Sequence, residues 1–205
     1  MPYGIWDGSS ILAQFSTPLV VRSNQPVFSS DTLSLNRQIS VRTAQRWEIE
    51  APLEPLSSTA NDLFVYITSK GHGSLVQAIM PQNYAAVMKR TATGIPQVNA
   101  TAVDSPTVYV NATGGWTGMI PKGTFIRFSN VPHDKVYLVL NDTTPNSTMS
   151  IYPNLRSAVS LSNTFKYKDD VLLNALFDLD VIRGMMYVDG ILMNNGTIKL
   201  VEKLI

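Results

Sequence analysis

Few side chains in this 205-residue sequence belong to the types that perform catalysis or bind metals. Its two histidines both fall in loops, His72 at 71–74 and His133 between two strand-like runs. An imidazole can act as a general base, but a serine triad also needs a nucleophile on a sharp turn and a carboxylate behind the histidine. The sequence has no Gly-x-Ser-x-Gly pattern and no cysteine. We therefore interpret both histidines as loop residues without a catalytic role.

The aspartates near the end of the chain are the other group with possible chemistry. Asp178 and Asp180 are two residues apart, which places both on one face of a strand. Two carboxylates can flank a glycosidic bond, and a hard cation needs six to eight oxygens from a suitably spaced loop. No such acidic loop is present, so a solvated strand face is favoured. A glycosidase or peptidase using Asp178 and Asp180, or His133, is kept as an alternative.

A glycine-rich stretch at 113–118 could suggest a phosphate-binding loop. Phosphate cradles place the amides of a helix N-terminus behind their glycines, and here 119–121 reads Met-Ile-Pro with no Gly-Lys-Ser/Thr pattern. We predict instead a long hairpin loop with Trp116 at its tip. An exposed Trp116, together with Tyr109, could contact a sugar or a partner protein. The alternative is that the Trp116 ring lies back on its own domain.

The elements that would position these residues are mostly short strands. In the middle third, apolar runs at 108–110, 124–128, 136–140 and 149–153 are separated by Gly, Pro and Asn turns. This spacing is typical of a small barrel or sandwich. One helix is predicted from about 58 to 71, because Ala60, Leu63, Phe64 and Ile67 form an apolar stripe.

The outer segments also favour strands. A strand at 45–50 is expected to end at Pro52 and Pro55, and 165–170 is expected to be a charged link. Asn194-Asn195-Gly196 is a strong tight-turn signal, which predicts a terminal hairpin between 190–193 and 197–204. Composition changes near residues 85 and 162. We predict a mainly β chain with one clear helix, in which 1–86 and 164–205 form one domain and 87–163 an inserted barrel domain.

Charge and composition limit the classes of partner. The formal net charge is +1 and charged residues make up 15% of the chain, below the usual fraction of about a quarter. Such a chain lacks the field that draws proteins to nucleic acid or anionic membranes, so neither partner is expected. No apolar run is long enough for a membrane helix, and the first residues do not read as a signal peptide. We expect no cofactor and no metal. Low charge favours a surface buried between subunits, with a weakly charged β monomer as the alternative.

Four stretches, in this order, resemble the distal tail proteins of long-tailed bacteriophages, in particular the short two-domain kind. Residues 40–50 resemble a strand ending in Ala-Gln-aromatic, and 76–84 an exit strand followed by Pro-Gln. Residues 120–128 resemble a barrel strand opened by Pro-x-Gly, and 150–155 a closing Tyr-Pro-x-Leu. The order and spacing fit across roughly 35–205, and the longer Asn, Ser and Thr loops depart from the pattern.

The resemblance implies a tail-tube-like β domain with a small inserted barrel of the oligonucleotide/oligosaccharide-binding (OB) type. It also implies a structural virion protein, not an enzyme, that forms a hexameric ring at the tail tip after assembly in the host cytoplasm. The expected partners are further copies of the chain, the tail tube protein and the baseplate hub or tip protein, with receptor-binding proteins or host glycans as further candidates.

Within such a ring, we expect the contact between copies to involve the N-terminal strands and the turn near the C-terminus, represented by Ile39 and Asn195. Two other functions are kept as alternatives. One is a carbohydrate-binding β-barrel module with Trp116 and Tyr109 as its platform, and the other is a viral capsid or collar subunit.

Overall fold

The structure, a computed structural model, describes residues 3–31, 37–41, 44–55, 60–70, 73–113, 115–161, 163–178, 186–188, 191–194 and 197–203. The prediction of a mainly β chain is confirmed. The predicted helix is present as α1, and a second short helix, α2, was not predicted. The elements are, in chain order, β1 Gly4–Trp6, β2 Ile11–Phe15, β3 Val20–Asn24, β4 Val27–Asp31, β5 Arg37–Val41, β6 Arg46–Pro55, α1 Ala60–Lys70, β7 Val76–Ile79, α2 Tyr84–Lys89, β8 Gln97–Val98, β9 Thr107–Asn111, β10 Phe125–Phe128, β11 Val136–Val139, β12 Ser147–Tyr152, β13 Phe165–Lys166, β14 Leu172–Phe177, β15 Met186–Val188, β16 Ile191–Asn194 and β17 Thr197–Glu202.

The chain divides into two compact units. The first contains Met1–Ile11, Gln77–Asn174 and Leu204–Ile205, and the second contains Leu12–Val76 and Ala175–Lys203. These units are defined by contacts within the chain. The predicted inserted domain at 87–163 is a separate statement, and it stays a prediction.

The first unit is built around a six-stranded antiparallel sheet in the order β13-β10-β11-β12-β9-β8. Its two end strands meet at a bridge between Gln97 and Thr164. Phe165 N donates to Pro96 O (3.4 Å), and Val98 N donates to Asn163 O (3.2 Å). The sheet therefore closes on itself.

The interior of this closed sheet is filled by side chains that alternate inward along each strand. Val108 and Val110 of β9, Met149 and Ile151 of β12 and Ile126 of β10 are all 2% exposed or less. Aromatic rings pack edge to face among them, with Phe128 at 5.4 Å from Tyr137 and 5.8 Å from Phe165 between ring centroids. The interior is a packed core, which is what closes small barrels.

One prediction about the surrounding segments is corrected in this unit. Residues 165–170 do not form only a charged link, because Phe165 and Lys166 form β13, which pairs with Phe128 and Arg127 of β10. Helix α2, which was not predicted, has Asn83 as its N-cap. The Asn83 side chain accepts hydrogen bonds from the amides of Ala85 and Ala86.

In the second unit the long strand β6 has partners on both edges. One edge pairs with β17 from Thr197↔Pro52 to Val201↔Glu48. The other edge pairs with β3 and β2 in succession. Trp47, Ile49, Ala51 and Leu53 alternate along β6 and are buried, as is Leu63 of α1. Leu63 lies on the predicted apolar stripe of that helix.

The strand was predicted to end at Pro52 and Pro55. It does end at Pro55, but it continues through Pro52. In an antiparallel strand the N–H and C=O of one residue point to the same side. The Pro52 carbonyl accepts from Ser16 N (2.8 Å), so its nitrogen faces the break between β2 and β3. The proline therefore lies where the ladder requires no donor.

The predicted terminal hairpin is also wrong. β16 pairs with β15, whereas β17 pairs with β14 and β6. Along β17, Ile198 and Leu200 are buried and Lys199 between them is half-buried. The turn signal describes local geometry only, and it does not specify which strands pair across the sheet.

Candidate functional site

His133 is enclosed and neutral rather than available to a substrate. It is 7% exposed, its Nδ1 accepts a hydrogen bond from Lys135 N (3.2 Å), and its ring lies 6.4 Å from that of Tyr137. Burial lowers the pKa of His133 from 6.5 to about 4, and the Arg156 cation adds to this effect while Asp134 opposes it. Within the part of the chain that the structure describes, Nε2 has no hydrogen-bond partner. His72 lies outside the described residues.

Asp178 belongs to an ion-pair cluster on the second unit. Lys199 Nζ lies 2.8 Å from the Asp178 carboxylate and 3.7 Å from that of Glu48. The hydrogen bond with Asp178 raises the pKa of Lys199. Asp180, the predicted companion of Asp178, lies outside the described residues. No group of three or more His, Asp or Glu side chains among the described residues is placed to hold a metal ion.

A polar network in the first unit links four side chains. The Arg127 guanidinium donates to the Asp134 carboxylate and to Leu172 O (3.1 Å). Asn174 donates to the same carboxylate, and Gln77 Nε2 donates to Asn174 Oδ1 (3.0 Å). Each member thus has a partner, and the network fixes β10 to β7 and β14.

Trp116 is not exposed at a loop tip, which corrects that expectation. It is 1% exposed and belongs to the core of the closed sheet. Its loop is held against residues 91–94: Thr93 pairs with Thr117, and the amides of Thr91 and Ala92 both donate to Met119 O. The approach at Gly118 (φ +86°) is so close that a Cβ there would lie 2.3 Å from Thr91 O. This contact turns the indole inward, the alternative that the sequence left open.

Tyr109 remains on the surface. It is 39% exposed, and its neighbours along β9, Val108 and Val110, point inward. Tyr109 lies opposite Thr148 of β12. On its other side, Asn99 N donates to Tyr109 O (2.9 Å). The predicted platform of Trp116 with Tyr109 is therefore reduced to Tyr109 with polar neighbours, which only the strand register reveals.

A cavity of about 330 Å³ lies beside the seam where the closed sheet meets itself. Its apolar wall includes Ile95, Pro96 and Phe165, and Lys166 and Lys168 lie at its rim. The Tyr167 ring beside it contacts two cations, Arg90 at 5.8 Å and Lys168 at 5.3 Å from its centroid, and its hydroxyl donates to Gly94 O (3.1 Å). The Tyr167 side chain thus links the segment after β13 to Gly94 on the other side of the seam.

Of the two residues predicted to lie at the contact between ring subunits, only Ile39 falls within the described part of the chain. Ile39 lies on β5, opposite Ser29 of β4. Asn195 lies outside the described residues, and the contact itself stays a prediction. The Gln82 side chain exchanges two hydrogen bonds with the backbone of Phe125. Neither this contact nor the Arg127 network was predicted, because local composition does not distinguish a structural glutamine or ion pair.

Comparison with known proteins adds no relative. No family model matches this sequence, and no curated protein matches it. Among the described residues, no helix has both the length and the apolar character needed to cross a lipid bilayer.

Proposed function

We propose that this chain is a structural virion protein that forms a hexameric ring at the distal end of a phage tail. In that place it joins the tail tube to the tip or baseplate hub, and it is not an enzyme. Four stretches of the sequence resemble the distal tail proteins and support this assignment. They fall on β5 to β6, on β7 with the α2 N-cap, on β10, and on the end of β12.

The observation that carries the proposal is the set of incompletely paired strands in the second unit. β4–β5 and β15–β16 are two-stranded sheets, and within the described part of the chain neither pairs with a third strand. β3 ends its sheet, with β6 as its partner. Two-stranded ribbons are marginal alone in water, and open edges are templates for pairing with another chain. Copies of the same chain would supply the missing partners.

The closed sheet of the first unit supports the second half of the resemblance. Its six short antiparallel strands, packed interior and end-strand closure make a small barrel, and this supports the inserted barrel that the resemblance implies. The low charge of the chain is consistent with surfaces that are buried on assembly. On this proposal the partners are further copies, the tail tube protein and the hub, and the location is the tail tip of the virion.

The mass of the purified chain in solution tests the proposal. A ring made by head-to-tail contacts closes at one defined number of subunits, so mass photometry should give one discrete assembly rather than a ladder. On this proposal, addition of the tail tube protein of the same phage should increase its population. If the chain remains a protomer under both conditions, the proposal is wrong.

A further inference from the structure

The outward face of β9 and its neighbours has an unusual composition. The half-exposed ring of Tyr109 lies in register with hydroxyl and amide side chains of the neighbouring segments. We call this the Tyr109 face, and it consists of Thr107, Tyr109, Asn111, Asn99, Thr148 and Ser150.

We infer that the Tyr109 face binds a neutral glycan, with a sugar ring stacked on Tyr109. The inference does not depend on ring formation. Its first support is register. Tyr109 lies opposite Thr148, and Thr107 lies opposite Ser150. Side chains directly opposite in an antiparallel pair are about 5 Å apart. The hydroxyl groups therefore line the ring at the distance where a stacked sugar presents its own hydroxyls.

The amides on the other side of Tyr109 are held in place. Asn111 Nδ2 donates to Asn99 Oδ1 (3.1 Å), and Asn111 Oδ1 accepts from Thr113 N (3.0 Å). Among the hydrogen bonds of the described residues, none is donated by Asn99 Nδ2. The Asn99 side chain is thus held through its Oδ1, and its Nδ2 can donate to a ligand. Side chains ordered in advance reduce the entropy lost on binding.

Charge decides between possible ligands. The six side chains of the Tyr109 face carry no formal charge. Nucleic acids and acidic polysaccharides are held largely by Lys and Arg, and the face offers neither. The core of a protein interface is rich in aromatic residues, Met and Arg, whereas this face has a single aromatic among polar groups. An aromatic platform with neutral hydrogen-bonding groups suits an uncharged sugar.

The test uses the full chain with defined probes. Hexasaccharides of α-1,4-glucose, β-1,4-glucose and β-1,4-N-acetylglucosamine are the neutral probes, and a mannuronate hexasaccharide and oligo-dT are the charged ones. Calorimetry should detect at least one neutral probe with a Kd of about 1 mM or tighter, as expected for a shallow site. The charged probes should not bind.

Variants connect the binding to the face. Tyr109→Ala should weaken the neutral probe at least about tenfold, and Tyr109→Phe, which keeps the ring, should stay within about twofold. The matched control is Tyr84→Ala, because Tyr84 is 77% exposed on α2 and lies outside the face. It should leave the Kd unchanged. Tyr109→Ala should also leave the assembly mass unchanged, which separates this site from the ring.

Three results would overturn the inference. The neutral probes fail to bind at about 10 mM, or Tyr109→Ala binds as well as the unaltered chain, or only a charged probe binds. Since Tyr109 is on the surface, its replacement is expected to preserve the fold, and an unchanged thermal midpoint verifies this.

Discussion

The side-chain amide of Gln82 makes with Phe125 the hydrogen bonds that a neighbouring strand would make. Phe125 N donates to Gln82 Oε1 (2.9 Å), and Gln82 Nε2 donates to Phe125 O (3.0 Å). Gln82 is 5% exposed, so water competes little for these groups. The backbone carbonyl of Gln82 also accepts a hydrogen bond from the Tyr3 hydroxyl (3.1 Å). One glutamine thus attaches the start of β10 to the segment that follows β7.

Replacing this amide should destabilise the first unit. Gln82→Ala removes both bonds to Phe125 in a buried place, and we expect a loss of about 2 kcal/mol in the free energy of unfolding. Urea denaturation measures the loss, and the Phe125 amide should exchange its hydrogen faster. Asn83→Ala is the neighbouring control, because it removes only the cap of the short helix α2, at a cost of about 1 kcal/mol. Equal losses for the two variants would contradict the role given to Gln82.

Trp116 should behave as a core residue. Trp116→Ala is expected to cost about 3 to 5 kcal/mol, because it opens a large cavity in the closed sheet. Trp116→Phe should cost less, since the indole Nε1 has no hydrogen-bond partner among the described residues and its loss breaks no bond. Chemical denaturation gives both values. Tyr84→Ala, on the surface, should change stability by less than about 0.5 kcal/mol. A Trp116→Ala variant as stable as this control would show that the indole is exposed.

The buried histidine predicts a pH dependence of stability. The pKa of His133 is lowered to about 4 in the folded chain, whereas the unfolded histidine titrates near 6.5. Between pH 4 and pH 6.5 the histidine is protonated in the unfolded state but stays neutral in the folded state. Stability is therefore fully present above pH 6.5 and falls as the pH decreases toward 4, by about 2 to 3 kcal/mol. Thermal unfolding at closely spaced pH values measures this.

A substitution assigns that dependence to one side chain. His133→Asn keeps an acceptor for Lys135 N but cannot be protonated, so the decline between pH 6.5 and 4 should become shallower. His72→Asn changes the other histidine of the sequence and serves as the control. If His133→Asn and His72→Asn show the same pH profile, the buried imidazole is not the cause.

The predicted contact between copies can be tested through β5. Ile39→Lys places a charge on a strand that we expect to meet a neighbouring copy, and charge at an edge discourages pairing. The variant should remain a folded protomer, with unchanged circular dichroism, while the ring is lost in mass photometry. Val103→Lys is the matched control, because Val103 is exposed on the first unit, with 52% of its surface accessible. A ring that persists in Ile39→Lys would contradict this contact.

The parts of the fold that were predictable depend on residues close in sequence. The apolar stripe of α1 and the short apolar runs of β9 to β12 were recognised because both patterns are visible in short windows. Three features were not: the length of β6 beyond Pro52, the pairing of β17, and the closure through β13. Each depends on a partner strand far along the chain, and no local pattern specifies that partner.

The candidate site shows the same limit. Tyr109 was chosen from its residue type and remains on the surface, whereas Trp116 was chosen in the same way and is buried. What separates them is the contact of 115–119 with 91–94, which local sequence does not encode. The neighbours of Tyr109, Asn99 and Thr148, come from different strands, so only the register brings them together.

The mass of the assembled chain tests the central claim most directly. The protomer has a mass of 22.6 kDa. Native mass spectrometry of the purified chain, alone and mixed with its tail tube protein, should show one dominant species at six times that mass. A protomer at every concentration in both samples would contradict the account, as would an open series of sizes.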